Sequence, residues 1–202
     1  MYNAVAPIGS VVISPKNQVF GQGRNATLNC NNMGGPNNTI IWEVEGDRLA
    51  ITNSHQISVF VNVSFGGNYT CIVSNAAGSE SDSTMLYVHP LIVENPAPLI
   101  TVTNGTNTGF SCDAESFPDP MYEWIRPNGL IVREEVIKMN RQNLLGFNPT
   151  LFGDEGTYIC RAFIVIDEII YDVNSTATVL TSKCNNCYQV VRVLSCTTMG
   201  CG

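Results

Sequence analysis

Apolar residues in this chain recur mostly at every second position, the period of a half-buried strand. From Thr39 to Val44, Ile40, Trp42 and Val44 fall on one side, with Ile41, Glu43 and Glu45 on the other. Ile57, Val59, Val61 and Val63 alternate with Ser58, Phe60, Asn62 and Ser64, predicting a strand with Asn62 on its solvent side. Leu28 and Cys30 share the inward side of a strand over Ala26 to Asn31. Val11 to Pro15 is a short β-branched run closed by proline, which suits a sheet edge. Turn signals separate these runs: Gly21-Gln-Gly23, the Gly-, Pro- and Asn-rich stretch from Asn32 to Asn38, and Ala76-Ala-Gly78. Strands also read out at Leu86-Tyr-Val88 and, after His89-Pro90, at Leu91-Ile-Val93. With no Gly/Ser spacer and a proline at the junction, a short, stiff connection is expected there.

In the second half, Pro96 and Pro98 mark a break, and Gly109-Phe-Ser-Cys112 reads as a strand. Leu130 to Arg141 has apolar clusters at 130–132 and 136–137 that fit neither period, so strand and loop are expected in place of a helix. Leu145, Phe147 and Leu151 lead to Asp154-Glu-Gly-Thr-Tyr158-Ile-Cys160, a strand entered through a tight turn. Gly156 permits the turn backbone, and Tyr158 and Cys160 then point to one face.

One constellation occurs twice. Cys112 is followed twelve residues later by Trp124, and then by Tyr158-Ile-Cys160; Cys30 is followed twelve residues later by Trp42, and then by Tyr69-Thr-Cys71. This set resembles the immunoglobulin superfamily, and Phe117-Pro-Asp-Pro before Trp124 resembles its intermediate-set domains. The resemblance implies an all-β chain of two sandwiches in tandem with a short Cys-rich tail. It divides as a leader at 1–9, domains at 10–89 and 90–181, and a tail at 182–202. It also implies bridges Cys30–Cys71 and Cys112–Cys160, with Trp42, Tyr69, Trp124 and Tyr158 as the core framework. Each bridge would close a loop of about 40 residues, worth roughly 4 kcal/mol in the chain-entropy model.

The copies differ. Phe65 stands where the family usually has the Asp seen at Asp154, so the first copy should lack the family's ion pair there and leave Arg48 without that partner. For Asp154, the candidate partners are Arg133, Lys138 and Arg141. The Trp-to-Tyr interval is 27 residues in the first copy and 34 in the second, which lengthens the region after the Trp strand.

Composition narrows the function classes. A net charge of −7 disfavours nucleic acid and anionic membrane surfaces as partners, which want a basic patch. No run approaches the roughly 18 apolar residues of a membrane helix, and no signal peptide is visible, so the chain reads as a fragment, a mature form or an incomplete gene model. Membrane attachment is expected outside it. Eight cysteines, with sequons at Asn25, Asn37, Asn62, Asn68, Asn104 and Asn174, favour an oxidising, extracellular or cell-surface setting.

Candidate chemistry is sparse. His55 and His89 have no nucleophile motif around them, and Glu43, Glu45, Glu134 and Glu135 read as solvated surface. No catalytic residue, metal site or cofactor is expected. Cys184, Cys187, Cys196 and Cys201 fit a zinc knuckle poorly, because only one half has Cys-x2-Cys spacing. The start of another disulfide module, or sequence from a misplaced gene boundary, fits better.

Strand parity turns Met121, Glu123 and Ile125 outward, with Ile159, Arg161, Phe163 and Val165 beside them. That apolar face is the candidate binding face, for homophilic or heterophilic protein partners; cover by a neighbouring domain is the alternative. A glycan at Asn174 would crowd it. The expected function is non-catalytic adhesion or recognition, a receptor ectodomain included. A structural spacer of intermediate-set repeats, with reduced cysteines and bare sequons, is the alternative.

Overall fold

The predicted alternations form strands, and the computed structural model has no α-helix among its described residues. Those residues are 6–32, 38–45, 47–51, 54–127, 129–130, 132, 137–139, 143–183, 189–190 and 193–194, with backbone alone at 47–51, 137–139 and beyond 183. The chain forms two compact units, Met1–His89 with Ser116–Pro118, and Pro90–Glu115 with Asp119–Gly202.

The first unit is built from β1 (Val11–Ser14), β2 (Gln18–Phe20), β3 (Asn25–Asn32), β4 (Thr39–Val44), β5 (Asp47–Ile51), β6 (Gln56–Phe60), β7 (Gly67–Asn75) and β8 (Gly78–Glu94). One sheet runs β1-β3-β6, so the proline-ended β1 is an edge. The other runs β8-β7-β4-β5, with β2 parallel to β8. Alternating residues from both sheets bury Ile13, Leu28, Cys30, Ile40, Trp42, Tyr69, Cys71 and Leu86 in one core. Burying such side chains stabilises the fold by roughly 1.5–3 kcal/mol each, before the entropy cost.

The second unit adds β9 (Leu99–Thr103), β10 (Thr108–Ser111), β11 (Asp113–Phe117), β12 (Met121–Ile125), β13 (Ile137–Met139), β14 (Leu144–Phe147), β15 (Gly156–Ile166), β16 (Ile169–Asn174) and β17 (Thr178–Lys183). Its sheets run β10-β14-β13 and β12-β15-β17-β9, with β16 also paired to β15. Phe110 meets Trp124 edge-on at 5.2 Å and also touches Phe147 and Tyr158, an aromatic cluster over the Cys112–Cys160 bridge. Beyond Lys183, β18 (Gln189–Val190) and β19 (Val193–Leu194) pair antiparallel. The four tail cysteines lie outside the described residues.

Several expectations are corrected. The strand expected through Val63 stops at Phe60, and Val63–Phe65 is a single 3-10 turn. Its cause is local: the Asn62 side-chain oxygen accepts the Ser64 N–H at 2.9 Å, turning the backbone away from the ladder. Strand β8 runs unbroken through His89-Pro90, since the fixed proline φ is compatible with extended backbone. In the segment 130–141, where strand and loop were expected, Ile137–Met139 does form a strand, β13.

Candidate functional site

The repeated constellation occupies one geometry in both units. Cys30 bonds Cys71 and Cys112 bonds Cys160. Trp42 lies directly across the ladder from Cys71, and Trp124 from Cys160. All four framework aromatics are buried, and the Trp42 indole N–H donates to the Ser54 carbonyl at 3.2 Å. The Tyr69 hydroxyl donates to the Phe65 carbonyl at 2.8 Å, and the Tyr158 hydroxyl to the Asp154 carbonyl at 2.6 Å. The acceptor is backbone in both, which is why a Phe at position 65 does not disturb the corner. The Asp154 carboxylate instead accepts the Leu151 N–H at 2.8 Å. Side chains of Arg48, Arg133, Lys138 and Arg141 lie outside the described residues.

A buried cation was not anticipated. Arg126, one residue past β12, donates to the Gly153 and Glu155 carbonyls at 3.3 and 2.6 Å. Its guanidinium stacks 5.1 Å from the Tyr158 ring centroid. Its sequence signal was weak: a charge just after a core strand reads as solvated.

The candidate face is the outer side of β12, β15 and β16. Register sets Met121 beside Phe163, Glu123 beside Arg161 and Ile125 beside Ile159. On the other flank, Phe163 faces Asp172, Val165 faces Ile170 and Arg161 faces Asn174. Met121, Val165 and Ile170 are 47%, 44% and 51% exposed, whereas Ile125, Ile159 and Phe163 are half-buried. The patch is therefore less continuously apolar than the alternation implied. Arg161 crosses it, bonded to Asp172 at 2.8 Å and Glu123 at 3.4 Å, with its guanidinium 5.5 Å from the Phe163 ring centroid. The hydrogen bond that Arg161 donates to the Asp172 carboxylate foremost raises the Arg161 pKa, keeping its charge fixed. Asp172 and Ile170 escaped the sequence reading, although counting back in twos from Asn174 reaches both.

The hairpin behind this face turns at Asp167 and Glu168, with φ of 49° and 67°, between β15 and β16. Positive φ at both central residues is the two-residue hairpin geometry whose twist matches the strands.

The sequons are scattered. Asn25 is exposed on β3, Asn174 exposed on β16, and Asn62, Asn68 and Asn104 half-buried; Asn37 lies outside the described residues. The Asn104 side-chain oxygen is buried and unpartnered. The exposed His55 sits 3.1 Å from the Cys30 carbonyl through Nδ1, and among the described residues no three His, Cys, Asp or Glu side chains cluster to hold a metal. No helix among the described residues is long and apolar enough to cross a membrane.

The immunoglobulin domain family model matches residues 10–75 and 89–163. Roundabout homolog 1 of Rattus norvegicus is 30% identical over 176 residues, covering 75% of this chain and 10% of that protein. The basement membrane-specific heparan sulfate proteoglycan core protein of Mus musculus is 28% identical over 164 residues, covering 78% and 4%. The chain thus spans a tenth or less of these relatives. Among solved structures, the N-terminal eight immunoglobulin domains of Down Syndrome Cell Adhesion Molecule superpose with a TM-score of 0.55 at 20% identity, covering 89% of this chain and 25% of that one. The twofold match and the twice-built Cys–Trp–Tyr–Cys geometry agree: the chain belongs to the immunoglobulin superfamily, as two domains in tandem.

Proposed function

We propose that this chain is an extracellular, cell-surface or matrix segment that binds protein through the outer β12-β15-β16 face of its second domain, in adhesion or recognition and without catalysing a reaction. The observation that carries the reading is the pairing of Met121 with Phe163 and of Val165 with Ile170 on either side of the Arg161 strip. Water-exposed apolar side chains beside a charged strip give a docking surface both area and orientation. Glu123 and Asp172 offset Arg161 within the strip, which leaves little charge to repel an identical face, and a second copy is the occupant proposed here. Disulfides in both domains support an oxidising setting. One relative is by name a basement-membrane component, and a structural neighbour is by name a cell adhesion molecule.

Sedimentation velocity over a concentration series tests the occupant. The wild-type chain should self-associate, and Met121→Lys or Ile170→Lys should return it to monomer with its melting temperature kept. A wild-type monomer at every concentration removes the second copy as partner. Thiol titration of protein from its native source separates the extracellular reading from an intracellular spacer, whose cysteines would be free.

A further inference from the structure

The outer side of the β1-β3-β6 sheet in the first domain presents Asn25, Thr27 and Asn29 from β3, with Gln56, Ser58 and Phe60 from β6. Five of these are polar; Phe60 is the exception, and it is 57% exposed. Its direct partner across the ladder is Asn25, and the next pair is Thr27 with Ser58. Asn25-Ala-Thr27 is an N-glycosylation sequon. Because Ala26 is buried, the acceptor amide and the sequon hydroxyl share the outward side with the ring. Directly opposed residues hold their Cβ atoms about 4.5–5.5 Å apart, within reach of one aromatic ring and one substituted amide.

We propose that Asn25 carries an N-linked glycan whose first N-acetylglucosamine lies on the face of Phe60. The electron-rich ring face attracts the weakly positive C–H bonds of a pyranose, and the contact removes apolar ring surface from water. Attachment uses a lipid-linked oligosaccharide diphosphate as donor. The Asn25 Nδ2 forms a bond to C1 of the first sugar, the C1–O bond to the diphosphate breaks, the lipid diphosphate leaves with the electron pair, and Nδ2 gives up one proton. No oxidant or reductant is involved.

Asn62 also lies near Phe60 in sequence, but it stands past the end of β6. Its side-chain oxygen is committed to the Ser64 N–H, and it has no place in the ladder opposite the ring. Asn25 therefore takes the role. The inference rests on the extracellular reading, since only a chain in the secretory pathway meets the donor.

The test is to secrete the chain from a eukaryotic host behind a supplied signal peptide and trim its glycans to one sugar with an endoglycosidase. Site occupancy is read by peptide mass spectrometry, and sugar proton shifts by NMR. Asn25 should be occupied, and its sugar C–H protons should move upfield by ring current. That shift should vanish in Phe60→Thr and persist in Asn62→Gln. Asn25→Gln should lower the first domain's melting temperature by about 4 °C in the wild-type background and leave it unchanged in the Phe60→Thr background. A bare Asn25 beside other occupied sequons overturns the inference. So do sugar shifts that are the same with and without the ring, or a dimer lost in Phe60→Thr. The supplied signal peptide makes these results independent of native routing. Free cysteines in the native protein would instead overturn the extracellular reading.

Discussion

Tyr158 donates its hydroxyl hydrogen to the carbonyl of Asp154, four residues back, at 2.6 Å. Tyr69 does the same to Phe65 at 2.8 Å, so one corner is closed in both domains although the acceptor residues share no side-chain chemistry. Tyr158→Phe should remove a buried hydrogen bond and little volume, destabilising the second domain by about 1 kcal/mol. Urea denaturation of the variant, with the midpoint falling at constant slope, checks it.

The glycine two residues before each tyrosine is under tighter constraint. Gly67 and Gly156 have φ of 145° and 136°, where side chains are strained. A Cβ on Gly156 would also come within 2.9 Å of the Arg126 guanidinium, and one on Gly67 within 2.6 Å of Glu45 Oε1. Gly156→Ala should therefore cost more than about 1 kcal/mol. Arg126→Lys should fail to substitute, because a point charge cannot span the Gly153 and Glu155 carbonyls and stack on Tyr158. Thermal melts of both variants would show the loss; a wild-type midpoint for Arg126→Lys would refute the fork geometry.

Reduction should act on both domains alike. The bridges join residues separated by 41 and 48 positions, and the chain-entropy model gives each about 4 kcal/mol. Denaturation with and without dithiothreitol, followed by Trp42 and Trp124 fluorescence, should show both indoles reaching water at lower denaturant once reduced.

Acid should weaken the first domain through Asp82. Burial pushes its pKa up, but the Lys16 ammonium and the Ile13 and Ser83 N–H groups outweigh that and leave it lowered. A carboxyl depressed in the folded state contributes stability above its unfolded pKa of about 3.9 and loses it as pH falls through the folded value. Melting temperatures of wild type and Asp82→Asn should therefore converge as pH drops below about 4. Parallel curves would remove Asp82 from the acid response.

The hairpin at Asp167-Glu168 invites stabilisation. Both residues hold positive φ without being glycine, at a cost of about 1–2 kcal/mol per residue. Asp167→Asn with Glu168→Gly supplies the pair this turn prefers and should raise the melting temperature while leaving the face intact.

Strand by strand, much of this was readable from residue order. Ile40 and Trp42, or Tyr158 and Cys160, share a face because adjacent side chains on a strand must oppose each other, whatever surrounds them. The double sandwich was legible in a different way, through the resemblance of the twice-repeated Cys, Trp and Tyr-x-Cys set to the immunoglobulin superfamily. The reading failed where a side chain redirected its own backbone, as Asn62 does in ending β6 at Phe60.

Pairings across strands could not be read that way. Asn25 meets Phe60, Arg161 meets Asp172 and Glu123, and Arg126 reaches the turn before Tyr158 only because ladders bring distant segments into register. Register follows from which hydrophobic faces must be buried together, a property of the assembled sheets that no local window contains. The core, the sequons and the outward residues of β12 and β15 were therefore legible from spacing, while the partner each outward residue meets across the ladder emerged only once the strands were set side by side.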